Sequence, residues 1–344
     1  MGEGILRKRS AAGILCSSLF LTVISATVLG KTTTVVYAAD VEKYTNADFA
    51  MDTVVSETLY TSGADINTQI GEKLREMETT LLSWTEENSQ ISQLNNADGK
   101  TMEVSDDLAA DLEKIRQLSQ DSNGAFDPTL GKIIRLWDIA GENPRVPDQS
   151  EIDTLLPEVG YEKIQVDGNN VTLLDGCTLD LGAVGKGMGC DQIMDYLQTQ
   201  PDVFGMILNL GGSSVMTYGE KPDGSSWKVA LTDPVTRKAT ILEPSPWTQS
   251  VPFHLRRLRK ILHRRWNSLP PHPGSKDRLP CLEWSHLCYH RLRSGLSGRR
   301  PFHRLLVLGM DAAKPLLEKY DAEAVFVDED KNVYVTSGLM DKFE

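Results

Sequence analysis

The sequence lacks histidine everywhere except in one segment, since all six of its histidines fall within residues 253–304. Aromatic residues are scarce, at 7%, and no internal repeat, coiled-coil pattern or low-complexity tract is present. The five cysteines follow no regular spacing, which argues against a disulfide-stapled scaffold and against a zinc site. Cys177 and Cys190 could pair in an oxidising compartment, but we expect no dependence of the fold on them.

Charge excludes another class of protein for most of the chain. The 344 residues carry a net charge of −12, which argues against a nucleic-acid binder, and 40% are hydrophobic, enough for one large domain or two small ones. Residues 253–304 differ, because thirteen Lys and Arg stand there against two Asp and Glu. That segment therefore carries +11 and the remainder of the chain −23.

The first 39 residues have the composition of a secretory signal peptide. Lys8 and Arg9 are followed by an apolar stretch at residues 11–30, and the small residues Ala38 and Ala39 suit a cleavage site. An uncleaved anchor is the alternative, because the apolar stretch approaches the roughly 20 residues of a membrane-spanning helix. Both alternatives predict a domain that functions outside the cytoplasm, at the outer face of a bacterial membrane or beyond it.

The pattern from residue 40 onward predicts a single mixed α+β domain. A first amphipathic helix, ending near Trp84, is indicated by apolar residues at helical spacing: Ile66, Ile70, Leu74, Met77, Leu81 and Leu82. A second helix begins after a Ser105 cap and ends at Gly124, with Leu108, Leu112, Ile115 and Leu118 as its apolar face. Strands are predicted at residues 171–174, 205–210 and 227–231, and a hairpin at residues 324–338 that turns near Glu329.

Two turns carry residues with a choice of roles. In GAFDPTLG, residues 124–131, Asp127 lies in a turn before Pro128, where its carboxylate can face a ligand or cap the next helix. In LDLGAVGKGMGCD, residues 179–191, a glycine-rich turn leads from a strand into a helix. Its backbone N–H groups and Lys186 could hold a phosphate, or the glycines could serve a tight turn alone.

Six stretches in one order resemble the ApbE family, the flavin transferases that attach FMN to other proteins. They are MDTVVSETLY, NSQISQLN, GAFDPTLG, LDLGAVGKG, NLGGSS and KPDGSSWKVALTDP, between residues 51 and 234. The resemblance implies an Mg²⁺-dependent FAD:protein FMN transferase, which uses FAD to modify a Thr or Ser hydroxyl and releases AMP. It also implies acceptor flavoproteins such as membrane electron-transfer subunits as partners, and no nucleic acid.

The resemblance assigns roles to particular residues. Contacts to FAD are implied for Met51, Ala125, Phe126, Asp127, Asp180 and Lys186. Trp84 falls in an FAD-contact region by a looser correspondence, with core packing as its alternative role. Ala183 stands where a backbone carbonyl ligates the metal. Mg²⁺ requires about six oxygen ligands, so one carbonyl cannot complete its site.

The family's remaining motifs, TSGDYxxYF, RYHHIxDPxTGYPA and ADALSTA, are missing at the expected place. There, Arg256 to Leu262 can be coded CGG CGA TTA CGA AAA ATA CTT, which reads GDYEKY from the second base. The same displacement turns permitted codons for residues 266–280 into GIRYHHILDPKTGYP, and those for residues 298–304, with one further base, into ADALSTA. Since three motifs emerge in order from one displacement, we infer a frameshift.

The shift is expected to begin between Glu243 and Gln249 and to end between Arg304 and Leu308, after which the sequence again resembles the family. The chain as written would lack the acidic and hydroxyl metal ligands, and we expect it to be inactive and disordered over about residues 245–305. The alternatives are a secreted, non-catalytic flavin-binding protein, and a basic arm that binds a polyanion or, through its histidines, a metal.

Overall fold

A computed structural model describes residues 23–28, 31–36, 41–138, 142–232, 239–242, 248–250, 289–292, 305–327 and 332–342. The chain divides into two units, Met1–Val41 and Glu42–Glu344. In the first unit, β1 (Val23–Val28) and β2 (Lys31–Val36) form an antiparallel hairpin with Val23 opposite Val36. In the part of the chain that is described, no helix is long and apolar enough to cross a membrane. Cleavage of a signal peptide stays a prediction.

The second unit alternates strands and helices. Its strands, in chain order, are β3 (Glu42–Ala50), β4 (Thr53–Thr61), β5 (Met102–Glu103), β6 (Ile164–Asp167), β7 (Asn170–Leu173), β8 (Val203–Leu210), β9 (Ser214–Gly219), β10 (Val229–Thr232), β11 (Ala239–Leu242), β12 (Thr248–Ser250), β13 (Tyr289–Leu292), β14 (Ala322–Val327) and β15 (Val333–Val335). Its α-helices are α1 (Asn67–Met77), α2 (Gln90–Asn95), α3 (Asp106–Asp121), α4 (Gly131–Trp137), α5 (Gln149–Leu155), α6 (Gly185–Gln198) and α7 (Leu305–Lys319). The predicted α+β class is confirmed.

A five-stranded antiparallel sheet in the order β12-β9-β8-β4-β3 supports one core. Strand β4 alternates, turning Val55, Leu59 and Thr61 inward and leaving Val54 exposed, as expected for a sheet covered on that face. Helices α1 and α6 pack against this sheet and against each other, and bury Ile70, Leu74 and Ile193 among others. The sheet and the two helices thereby fix the position of the N-terminal turn of α6.

The second core lies between α3 and the antiparallel sheet β5-β7-β6. The Oγ of Ser105 accepts a hydrogen bond from the Leu108 N–H at 3.3 Å, which is the predicted N-terminal cap. Leu108, Leu112, Ile115 and Leu118 are buried together, and the chain leaves the helix through Gly124, whose φ of +74° suits glycine. The helix predicted over this stretch is confirmed with its cap, apolar face and end.

The remaining elements are short. β14 pairs with β13 and with β15, which confirms the predicted C-terminal hairpin, and α7 packs on β14. Cys177 and Cys190 are buried and unpaired with each other. Strands β12 and β13 fall inside the stretch that we expect to be out of frame; the rest of residues 243–304 lies outside the described residues. Its predicted disorder stays a prediction.

Candidate functional site

The hairpin between β3 and β4 turns through two residues in the left-handed region, Met51 at φ 54° and Asp52 at φ 55°. A residue with a side chain costs about 1–2 kcal/mol in that region, and such turns are most often built with glycine or asparagine. The surroundings hold the turn in place, because the Met51 N–H donates to Glu78 Oε2 at 2.7 Å. A backbone conformation that the surrounding structure maintains despite its cost in energy marks a candidate functional position.

The turn brings Met51 against the N-terminal part of α6. A Cβ on Gly189 would lie 2.8 Å from the Met51 sulfur, so a larger residue at this position would displace the Met51 side chain. A Cβ on Gly185 would lie 3.2 Å from Leu82 Cδ1. Gly185 and Gly189 therefore let Leu82 and Met51 pack closely on the surface of α6. This packing role differs from the tight turn that the sequence offered for these glycines.

Lys186 lies in the first turn of α6 and is half-buried. Its Nζ is 3.3 Å from Ser213 Oγ, which belongs to the bend between β8 and β9. Burial lowers the pKa of this ammonium group, while Asp52 and Glu78 act in the opposite direction through their charge. Within the described residues it forms no ion pair, so the cation remains available to an anionic ligand.

Asp127 is 5% exposed and holds its own turn together. Its Oδ1 accepts from the Thr129 N–H at 2.9 Å and from the Thr129 hydroxyl at 2.5 Å. Helix α4 begins four residues further on, so the carboxylate fixes the turn and does not cap the helix. The neighbouring Phe126 is buried and Ala125 half-buried.

The two motif-bearing turns are joined through their backbones. The Asp180 N–H donates to the Pro128 carbonyl at 2.9 Å, and the Gly131 N–H donates to the Thr178 carbonyl at 3.2 Å. The Asn95 side chain also binds this stretch. It donates a hydrogen bond to the Leu179 carbonyl at 2.9 Å and accepts one from the Leu179 N–H at 2.7 Å. Residues 127–131 and 178–186 are thus joined by hydrogen bonds, and their partly exposed residues form a joined surface. The strand predicted before the glycine-rich turn is only an isolated bridge between Leu130 and Thr178.

Trp84 borders this surface and is 46% exposed, which removes core packing as its role. The guanidinium carbon of Arg135 lies 5.1 Å from the centre of its ring. Arg135 also donates from Nη2 to the Thr178 hydroxyl at 3.0 Å. Burial lowers the pKa of this guanidinium and the nearby Asp180 carboxylate acts against that shift.

A magnesium site is not completed by the residues that the structure describes. Ala183 lies in the turn before α6 and is half-buried. No group of three His, Cys, Asp or Glu side chains suited to a metal ion exists among the described residues. One carbonyl falls far short of about six oxygen ligands, so the described donor set does not fit Mg²⁺.

Comparison with known proteins defines the class. The ApbE family matches residues 51–251, more than half of the chain, and the chain belongs to this family. It is similar to two curated proteins named "FAD:protein FMN transferase": 27% identical over 57% of this chain to that of Treponema pallidum, and 26% identical over 57% to that of Klebsiella pneumoniae. The matched regions cover 59% and 60% of those two relatives, so the chain spans well under two thirds of their length.

Solved structures show the same fold. The flavin transferase ApbE of Vibrio cholerae superimposes with a TM-score of 0.74, covering 88% of this chain and 100% of the other at 20% identity. The ApbE protein of Thermotoga maritima gives a TM-score of 0.71, covering 86% and 98% at 20% identity. The ApbE-type fold is therefore confirmed for this chain.

The structure brings most of the residues implied by the resemblance to neighbouring turns, while their contacts to FAD stay predictions. Met51 packs against Gly189 of α6, the helix that carries Lys186 in its first turn, and Asp127 and Asp180 lie on the joined turns. Sequence reasoning missed Arg135, Ser213 and Asn95. The last two stand inside the quoted motifs NLGGSS and NSQISQLN, which is the signal that could have found them.

Proposed function

We propose that this chain derives from an FAD:protein FMN transferase and that it keeps the half of the site that binds FAD. The observation that carries the proposal is the joined surface of residues 127–131 and 178–186, which presents Lys186 without an ion pair among the described residues. A half-buried cation at the start of a fourteen-residue helix suits a phosphorylated ligand, because backbone N–H groups and the helix dipole add to its charge.

We further propose that the chain as written does not transfer FMN. The diphosphate of FAD carries negative charge that a metal ion and a cation normally neutralise in phosphoryl transfer. The described residues offer Lys186 and the Ala183 carbonyl, but no group of three His, Cys, Asp or Glu side chains that could hold Mg²⁺. In the displaced frame, the Asp and Thr of ADALSTA would supply the missing ligands beside that carbonyl.

The extent of the family match supports this proposal. The match ends at residue 251, next to the place where the displaced frame is inferred to begin, between Glu243 and Gln249. The in-frame sequence beyond that point is basic and contains all six histidines. Arg299, Arg300 and Arg304 would then replace ADALSTA, and a unit positive charge 4 Å from doubly charged Mg²⁺ repels it by about 2 kcal/mol even in water.

In the restored chain the reaction would be a phosphoryl-group transfer. The oxygen of an acceptor Thr or Ser forms a bond to the FMN phosphorus, the bond to the bridging oxygen breaks, and AMP leaves with that oxygen while the hydroxyl proton goes to solvent. Lys186 would bind the diphosphate, and the turn fixed by Asp127 would position the ligand beside it. The bound metal would stabilise negative charge on the diphosphate.

The setting of this activity is also part of the proposal. The signal-like start of the chain, with Lys8, Arg9 and an apolar stretch at residues 11–30, favours a place at the outer face of a bacterial membrane. Acceptor flavoproteins exposed on that side, such as membrane electron-transfer subunits, would be its partners. The negative charge of the chain outside residues 253–304 gives no support for a nucleic-acid partner.

Two measurements on the purified chain test the proposal. Titration with FAD followed by flavin fluorescence should show saturable binding. Incubation with FAD, Mg²⁺ and an acceptor that carries a Ser/Thr flavinylation motif should give no fluorescent acceptor band on a denaturing gel. A labelled acceptor would contradict the proposed loss of the Mg²⁺ ligands. An absence of FAD binding would contradict the proposal that the chain keeps the half of the site that binds FAD.

A further inference from the structure

Arg135 has no ion-pair partner among the described residues, although the Asp180 carboxylate is near enough to favour its charged form. It is half-buried, yet no carboxylate of the described residues lies within ion-pair distance of it. Removing a guanidinium from water without a paired charge is unfavourable, unless a ligand or solvent completes its hydrogen bonds. Of its five N–H donors, one is used by a described side chain, the Thr178 hydroxyl at 3.0 Å.

The position of Arg135 is fixed from two sides. Gly131, four residues earlier on α4, lies so close to the Thr178 backbone that a Cβ there would be 2.8 Å from the Thr178 carbonyl oxygen. This contact seats α4 directly on the stretch that leads to Asp180. Since residues four apart share a helix face, Arg135 then reaches the hydroxyl of the same Thr178.

The aromatic side of the pair is fixed as well. Ser83 Oγ accepts from the Thr85 N–H at 3.2 Å and from the Glu86 N–H at 3.1 Å, which holds the loop that carries Trp84. The ring lies 5.1 Å from the guanidinium, within the range of a cation–π interaction. The guanidinium group is planar, so its remaining N–H groups lie in one plane, an arrangement that suits the oxygens of a phosphate.

Two half-buried cations therefore stand along one turn. Arg135 is anchored at Thr178, before the turn, and Lys186 lies at its end. Neither forms an ion pair with another described residue. A diphosphate offers two linked anionic groups, whereas riboflavin offers none. A diphosphate therefore offers each cation an anionic partner, whereas riboflavin offers neither cation a charge to bind.

We propose that Arg135, held by Trp84 and Thr178, determines specificity by binding a phosphate group of the flavin nucleotide, so that the site selects FAD over unphosphorylated riboflavin. The inference rests on the proposed function, because it assigns a contact within the same FAD site. It adds a residue that the six motifs did not single out and a reason for the exposure of Trp84.

The test measures binding by the full chain in EDTA, so that no metal ion contributes to the affinity. FAD and riboflavin are titrated by flavin fluorescence into the unchanged protein and into Arg135→Met, Arg135→Lys and the control Arg116→Met, whose arginine pairs with Glu113 on α3. We expect Arg135→Met to weaken FAD binding roughly ten- to a hundredfold, and Arg135→Lys to lose less because it keeps the charge. Riboflavin binding should change less than about twofold in every variant.

Each contrary result has a distinct meaning. If Arg135→Met binds FAD as the unchanged protein does, or weakens FAD and riboflavin equally, the inference is overturned while the proposed FAD site stands. If the unchanged protein binds no FAD, the proposed function is overturned. Calorimetric titration with ADP then tests whether Arg135 forms a site for a phosphate group. ADP binding that Arg135→Met weakens upholds that site; ADP binding that is absent or unaffected overturns it.

Discussion

Residues 51–251 match the ApbE family and place Met51, Asp127, Asp180 and Lys186 on neighbouring turns. Residues 253–304 carry a net charge of +11 and all six histidines, and contain none of the family's C-terminal motifs in the written frame. The contrast teaches that, in the proposed function, the FAD-binding residues and the missing metal ligands belong to separate stretches of the chain. A local change in the coding message can therefore remove one set and leave the other intact.

The largest expected effect is on transfer itself. A chain rebuilt so that residues 245–305 are read in the displaced frame should attach FMN to an acceptor, whereas the written chain should leave it unlabelled, because only the former has the acidic metal ligands. In-gel flavin fluorescence measures both. EDTA should abolish the labelling by the rebuilt chain. Equal labelling by the two chains would show that the reading frame of residues 245–305 makes no difference to transfer.

The free energy of unfolding should respond differently to substitutions in the same two regions. Leu112 is fully buried in the core of α3, so Leu112→Ala should cost about 2–5 kcal/mol of unfolding free energy. Leu262 lies in the segment whose sequence predicts local disorder, so Leu262→Ala should change that free energy by less than about 0.5 kcal/mol. Urea denaturation followed by circular dichroism measures both. A large cost at Leu262 would show that the basic segment contributes to the folded core.

Binding of FAD should depend on Lys186 even in the written chain. Lys186→Met removes a half-buried cation beside Ser213, and we expect the loss of about 1.5–3 kcal/mol of binding free energy with FAD in EDTA. Lys114→Met is a matched control, because that lysine pairs with Asp111 on the surface of α3. Unchanged affinity in Lys186→Met would place the flavin elsewhere.

The smallest expected effect concerns Glu57 in β4. It is 3% exposed, and neither carboxylate oxygen has a well-formed hydrogen bond among the described residues, although Asn46 directly opposite partly favours the ionised form. Burial, helped by the charges of Asp48 and Asp65, raises the pKa of Glu57 from 4.5 to about 6. The folded state then binds the proton more tightly than the unfolded state. Its stabilising effect is full below pH 4.5 and is lost as the pH rises through about 6.

Glu57→Gln should remove this pH dependence. Relative to the variant, the unchanged protein should lose about 1–2 kcal/mol of unfolding free energy between pH 4.5 and pH 7.5. Urea denaturation at the two pH values measures the difference. Parallel pH profiles of the two proteins would show that Glu57 ionises in the fold as it does in the unfolded chain.

Local signals in the sequence predicted α3 with its Ser105 cap and the start of α6 at the glycine-rich turn. Strand β3 was missed because its more buried side carries the polar residues Asn46 and Asp48 while Phe49 on the other side is exposed, which breaks the alternation that marks a strand. In the site, Lys186 and Asp127 stand inside motifs. The role of Arg135 depends on a contact 43 residues away, at Thr178, and a one-dimensional pattern does not carry such a contact.

The most direct test of the account is to sequence the coding DNA across codons 240–310. We predict codons for Arg256 to Leu262 that read GDYEKY from the second base, followed in the same frame by RYHHI and ADALSTA. Codons that do not encode these motifs in the displaced frame would contradict the frameshift, and the +11 segment would then be a native part of this protein.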